Sequence, residues 1–186
     1  VPSGSAPTVD GTLDDSAWEE AAATEVDGRM TLLWLEADGV LYVGVRYDRL
    51  GAINLVVADG DRIRLLHASA ALGSATHVRE SGTTWSLAAD FTWCCRNPAS
   101  NSRREQLWEE EGWYASLGGV GVPGEFEYAV ADADGAHVAL SWVAPGNASI
   151  LWPADLPEEQ AAALTGPRPA EAAFDPQQWP RLEFDG

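Results

Sequence analysis

The chain has 186 residues, with 29 Asp and Glu against 11 basic residues that are all Arg, giving a net charge of -18. Such a charge repels phosphate backbones and anionic headgroups, and so argues against nucleic acid or a membrane surface as partner. At this length one domain is expected, burying about 70% of its unfolded surface, and no apolar run approaches the roughly 18 residues of a membrane span.

Residues 1–7 (VPSGSAP) are small, polar and proline-containing, and read as a linker or a processed N-terminus of an exported chain. From Thr8 to Ala23 a turn at Asp10-Gly11 precedes a short helical turn that Asp14, Asp15 and Ser16 start, with Trp18 as its one large apolar residue. The stretch Met30 to Asp48, MTLLWLEADGVLYVGVRYD, organises the rest. Two apolar runs flank Asp38-Gly39, which supplies the positive φ angles of a two-residue hairpin turn. Pairing Ala37 with Val40 puts Met30, Leu32, Trp34, Val43, Val45 and Tyr47 on one wholly apolar face. The other face carries Thr31, Leu33 and Leu35 against Tyr42, Gly44 and Arg46, so it is expected to be partly covered too.

Val9-Asp10-Gly11, Leu13-Asp14, Trp18, Ala21 and, after a strand, Leu41-Tyr42-Val43 resemble the opening of the family 9 carbohydrate-binding modules and their DOMON-like relatives. The resemblance covers about residues 8–48. It implies an immunoglobulin-like or jelly-roll-like sandwich on which the Trp anchors an N-terminal strap.

Ala52–Ala58 and Asp61–His67 are expected to form a second hairpin around Asp59-Gly60. Ala68–Ala75 is rich in small residues and breaks the pattern. Thr83–Trp93 alternates again, with Trp85, Leu87, Ala89, Phe91 and Trp93 on one face and Ser86, Asp90 and Thr92 looking out to solvent. Ser102 and Glu105 read as a capping box for a helix over 103–111, with Gly112 as its stop. Strands are predicted over 113–121, 125–131 and 137–144, the last two joined across Asp132–Gly135. From Pro145 the texture changes, since six of the eleven prolines lie between Pro153 and Pro180. A second helix is predicted over 156–164, with Asp155 as N-cap. Leu151, Trp152, Phe174, Trp179, Leu182 and Phe184 are expected to anchor this tail, residues 145–186, on the sandwich of residues 8–144.

Nine Trp residues are the unusual resource. Flat aromatic faces suit the apolar side of a sugar ring, while carboxylates and Arg take its hydroxyls. On the predicted helix and the strand after it, Trp108 and Trp113 are the candidate walls and Arg104 and Glu109 the hydrogen-bonding partners; the competing reading makes Leu107 and Trp108 the stripe that holds the helix to the sheet. A haem alternative uses Met30, the only methionine, with His67, because thioether and imidazole form a legitimate axial pair. Cys94-Cys95 reads as two free thiols, or as a vicinal disulfide if the strand ends at Trp93. Structural calcium held by scattered carboxylates stays open, and Asp132–Gly135 by itself reads as hairpin chemistry. Glu109-Glu110-Glu111 splay around a helix and do not make the facing carboxylate pair of a glycosidase.

The sequence thus predicts an all-β antiparallel sandwich with one inserted short helix and a proline-rich C-terminal tail. The expected work is non-catalytic binding outside the cell, with carbohydrate as the ligand. Haem-based electron transfer is the alternative, and so is a structural role in a surface assembly docked through the tail.

Overall fold

The computed structural model describes residues 1–49, 51–95, 103–118, 124–144, 149–166 and 168–185. Twelve strands form along these segments: Ala22–Val26 (β1), Met30–Ala37 (β2), Val40–Tyr47 (β3), Ala52–Asp59 (β4), Arg62–Ala68 (β5), Leu72–Ser81 (β6), Thr84–Cys94 (β7), Trp113–Leu117 (β8), Glu125–Ala131 (β9), His137–Val143 (β10), Ser149–Trp152 (β11) and Glu171–Ala173 (β12). Two helices, Arg103–Glu111 (α1) and Glu158–Thr165 (α2), complete the fold. One sheet has the order β1-β2-β3-β9-β8 and the other β11-β10-β4-β5-β6-β7-β12. All named pairings are antiparallel, and the fold is an all-β sandwich.

The organising hairpin takes the register that its turn dictates. Ala37 pairs with Val40, Trp34 with Val43 and Met30 with Tyr47, while Asp38 and Gly39 both have positive φ, 54° and 78°. Its apolar face meets Ile53, Leu55, Leu66, Val138 and Leu140 of the seven-stranded sheet in the main core. Tyr128, fully buried, ties the layers together: its hydroxyl donates to the carbonyls of Ile53 and Leu66 at 3.1 and 3.3 Å.

Both sheets are also covered on the outside, which the half-apolar second face of the hairpin foreshadows. On the five-stranded sheet, Leu13, Ala17 and Trp18 of the N-terminal strap pack over Leu33 and Leu35. Gly44 makes this possible, because a Cβ there would meet Leu13 at 2.7 Å and Trp18 at 3.3 Å. On the seven-stranded sheet, Ala163, Leu164, Phe174 and Trp179 of the tail bury Val56, Ile63, Leu65 and Trp85. The tail is part of the sandwich, since it supplies both edge strands of that sheet, β11 and β12.

Several local expectations change. The second hairpin turns at Gly60-Asp61, one residue later than predicted, because Asp59 pairs with Arg62. The segment 132–135 is not a hairpin turn: it carries the chain from β9 in one sheet to β10 in the other, with Asp132 and Gly135 at φ 55° and 73°. The small-residue stretch 68–75 contains the start of β6 at Leu72. Helix α2 starts at Glu158 without a side-chain cap from Asp155, because Pro157 disfavours helical geometry at Leu156 before it. Cys94 and Cys95 form a disulfide with each other, not two free thiols. The Ser102 cap and the end of the 113–121 strand lie outside the described residues.

Candidate functional site

Each outer cover stops short of the sheet's end, and aromatic side chains collect at both margins. On the seven-stranded sheet the margin lies at β7. This strand does not keep the simple alternation of its sequence, since its register against β6 shifts between Ser74 and Thr76 and again between Thr76 and His77. Two such one-residue shifts together leave Trp93 on the same outer face as Trp85 and Leu87. Trp93 lies opposite Gly73, beyond the tail residues that bury Trp85, and is 55% exposed, the most exposed large apolar residue among those described. A Cβ on Gly73 would meet Trp93 Cε3 at 2.9 Å and Phe91 Cδ1 at 3.1 Å. The glycine lets both rings lie close over the sheet.

The rings around Trp93 hold it firmly. Phe91 lies 5.0 Å away between centroids with the planes 30° apart, and the His67 ring meets Trp93 edge-on at 5.2 Å. His67 is fixed in turn by Asn54 Oδ1 at 2.8 Å on Nδ1 and Ser69 Oγ at 2.9 Å on Nε2. Burial, with the Arg168 charge, pulls its pKa down to about 4, so the ring is neutral near pH 7. Arg168 stands 3.8 Å over the Phe91 ring and pairs with Asp90 at 2.9 Å. The result is an open aromatic platform bordered by a shallow cavity of about 220 Å³ and by an exposed guanidinium–carboxylate pair. Pattern reading put Trp93 on the face of Trp85, as the structure does; what it missed is that this is the outer face, where the tail covers Trp85 and leaves Trp93 open.

The second margin lies on the five-stranded sheet. Tyr42, Ala129 and Tyr114 stand in register across β3, β9 and β8, and α1 closes one side with Arg104, Glu105, Trp108 and Glu109 around a groove of about 460 Å³. Trp108 meets the Tyr114 ring edge-on at 5.6 Å. Arg104 lies 5.6 Å over that ring and donates to the Val9 carbonyl at 2.9 Å. Three of the four sugar-site residues predicted from sequence, Arg104, Trp108 and Glu109, thus line one groove. Trp113 does not: it is fully buried, its face is stacked on Tyr128, and its Nε1 donates to Glu111 at 3.0 Å. Strand alternation explains this, since Trp113 and Ala115 point into the core while Tyr114 points out.

Beside the groove a buried carboxylate holds the strap. Glu127 accepts hydrogen bonds from the backbone N–H of Asp10 at 2.9 Å and of Gly11 at 2.7 Å, and from Trp18 Nε1 at 2.9 Å. Burial pushes its pKa up to about 7, against the pull of these three donors.

The proposed haem ligands are not brought together. Met30 is fully buried between the sheets, whereas His67 lies on the outer face of the seven-stranded sheet among Asn54, Ser69, Phe91 and Trp93. One sheet separates them, so they cannot share an iron in this fold. Among the described residues, no three His, Cys, Asp or Glu side chains converge as a metal site. Asp134 accepts a hydrogen bond from the Phe184 N–H at 3.0 Å, tying down the tail.

No protein-family model matches the sequence, and no curated protein is significantly similar to it. A solved structure is similar: a family 9 carbohydrate-binding module from Caldicellulosiruptor kristjanssonii in complex with cellotriose. The two share 10% sequence identity with a TM-score of 0.52, over 99% of this chain and 92% of that chain. At that identity the likeness is one of fold: the β-sandwich of this chain, from its N-terminal strap to its tail, is similar to that of the family 9 module.

Proposed function

We propose that this chain is a non-catalytic carbohydrate-binding module that works outside the cell and uses the Trp93 platform. The observation that carries the reading is the placement of Trp93 over Gly73: a large aromatic face stays in water on a rigid sheet, with one side supported and the other free. Burying an apolar face is the ordinary fate of tryptophan, and a fixed exposed one suits the C–H face of a sugar ring. Arg168 and Asp90 at its edge offer a donor and an acceptor for hydroxyl groups. The cellotriose bound by the structural neighbour supports the ligand class, as analogy. A disulfide between Cys94 and Cys95 fits an oxidising compartment, which supports export.

Titration with cellotriose and with xylo- and manno-oligosaccharides, followed by tryptophan fluorescence, tests this. Saturable change with at least one of them is expected, and in Trp93→Ala the loss of the part that comes from the platform. A wild-type protein silent to the whole set would refute the reading.

A further inference from the structure

We infer that the groove between α1 and the five-stranded sheet is a second, independent site for a neutral sugar ring, on the opposite side of the sandwich from the platform. The inference goes beyond the platform reading and does not depend on it.

The groove's volume of about 460 Å³ lies in the range of small-molecule sites, roughly 300–1,000 Å³. Its floor is Ala129, whose small side chain leaves a gap between Tyr42 and Tyr114 on the flanking strands. Strands about 4.8 Å apart put those two residues about 10 Å from each other, wide enough for a flat ring between them. Trp108 stands as the third aromatic wall, edge-on to Tyr114.

The polar groups here are uncommitted. Among the described residues neither the Tyr42 nor the Tyr114 hydroxyl has a hydrogen-bond partner, and neither does the Glu105 or the Glu109 carboxylate. The neighbouring acids are already engaged: Glu110 accepts from Gln106, and Glu111 from Ser74 and Trp113. Arg104 uses Nη1 on Val9 and keeps other N–H donors toward the groove.

Charge selects the ligand class. Glu105 and Glu109, within a chain of net charge -18, repel anions. A cation would be repelled by the Arg104 guanidinium, which stands 5.6 Å from the Tyr114 ring centre. A neutral polyhydroxylated ring with an apolar face meets neither obstacle.

Indole N–H signals assigned by NMR read the two sites separately during titration with the same oligosaccharides. The expected result is a saturable shift of the Trp108 signal that persists in Trp93→Ala and weakens about tenfold in Tyr114→Ala. Glu109→Gln, an exposed substitution that leaves the fold alone, is expected to weaken it several-fold. A Trp108 signal that no probe moves at millimolar concentration overturns the inference, and so does a shift that vanishes in Trp93→Ala. Movement of Trp108 without Trp93 would sink the platform reading and leave the groove standing.

Discussion

Glu127 and Trp18 are joined by a 2.9 Å hydrogen bond beneath the N-terminal strap, the indole N–H donating to a carboxylate that is itself fully buried. The same carboxylate takes the backbone N–H groups of Asp10 and Gly11, so one side chain of the sheet holds three donors of the strap. Gly11 sits at φ 102°, and a Cβ there would run into the backbone of Leu117 and of Gly118, a conformation and an approach that only glycine tolerates. Glu127→Ala is therefore expected to cost about 3 kcal/mol, since buried donors without partners are expensive. Urea unfolding followed by near-UV dichroism, which reports the Trp18 environment, checks this. A loss below about 0.5 kcal/mol would show that the latch contributes little.

Two of the shifted groups, Glu127 and His67, give opposite pH dependences. Glu127 titrates at about 7 when folded, against an ordinary carboxylate value of 4.5. The folded state therefore holds this proton more tightly, and the associated stability is present below pH 4.5 and lost as pH rises through about 7. His67 titrates at about 4 against 6.5. It is buried neutral, so its contribution is present above pH 6.5 and lost as pH falls through about 4. Between these limits the effects oppose, and stability is expected to peak near pH 5 to 6. Glu127→Gln should remove the decline on the alkaline side, and His67→Gln should lessen the decline on the acid side, to which His77, its pKa also lowered by burial, contributes as well. Melting temperatures measured from pH 4 to 8 decide both.

Widening the residue beneath the platform should disturb binding more than folding. Gly73→Val places a branched side chain where Trp93 and Phe91 now lie, and is expected to weaken oligosaccharide affinity about tenfold, or ~1.4 kcal/mol. Trp93→Ala should cost at least as much, while its melting temperature stays near that of the wild type because the side chain is 55% exposed. Isothermal calorimetry beside a thermal melt separates the two effects.

Removing a tail anchor should resemble a core mutation. Phe174 is fully buried, stacks edge-on with Trp179 at 6.0 Å, and its carbonyl accepts from Trp85 Nε1 at 2.9 Å. Phe174→Ala is expected to cost about 3 to 5 kcal/mol, whereas a tail that only docks on other proteins would give a cost near zero in the isolated chain. Denaturant midpoints give the answer.

Haem provides a negative test. With Met30 and His67 on opposite sides of a sheet, reconstitution is expected to yield no low-spin spectrum of a Met/His pair. Appearance of that spectrum, and its loss in Met30→Leu, would contradict the geometry.

The sequence by itself determined the local pairings and the periodic faces. Asp38-Gly39 set the register of β2 with β3 because a two-residue turn leaves one register open. The apolar residues 30, 32 and 34 and 43, 45 and 47 then had to face the core. Trp18 was legible as the strap's anchor because it is the one large apolar side chain in a polar stretch. Helix α1 was legible from its pattern and from Gly112 behind it.

The tertiary structure decided what depends on distant chain segments. Glu127 meets the strap more than 100 residues away in sequence, and no local pattern marks a glutamate as buried. Whether β9 and β10 pair or part company is decided by which partners each finds, β3 and β8 or β4 and β11. Trp93 faces water because the tail that buries Trp85 on the same outer face of the sheet does not cover it, and nothing local says where a distant tail will end. Trp113 and Tyr114 exchange the roles that composition alone would give them, since alternation sends one to the core and the other to the groove, and only the position of the sheet says which side is which.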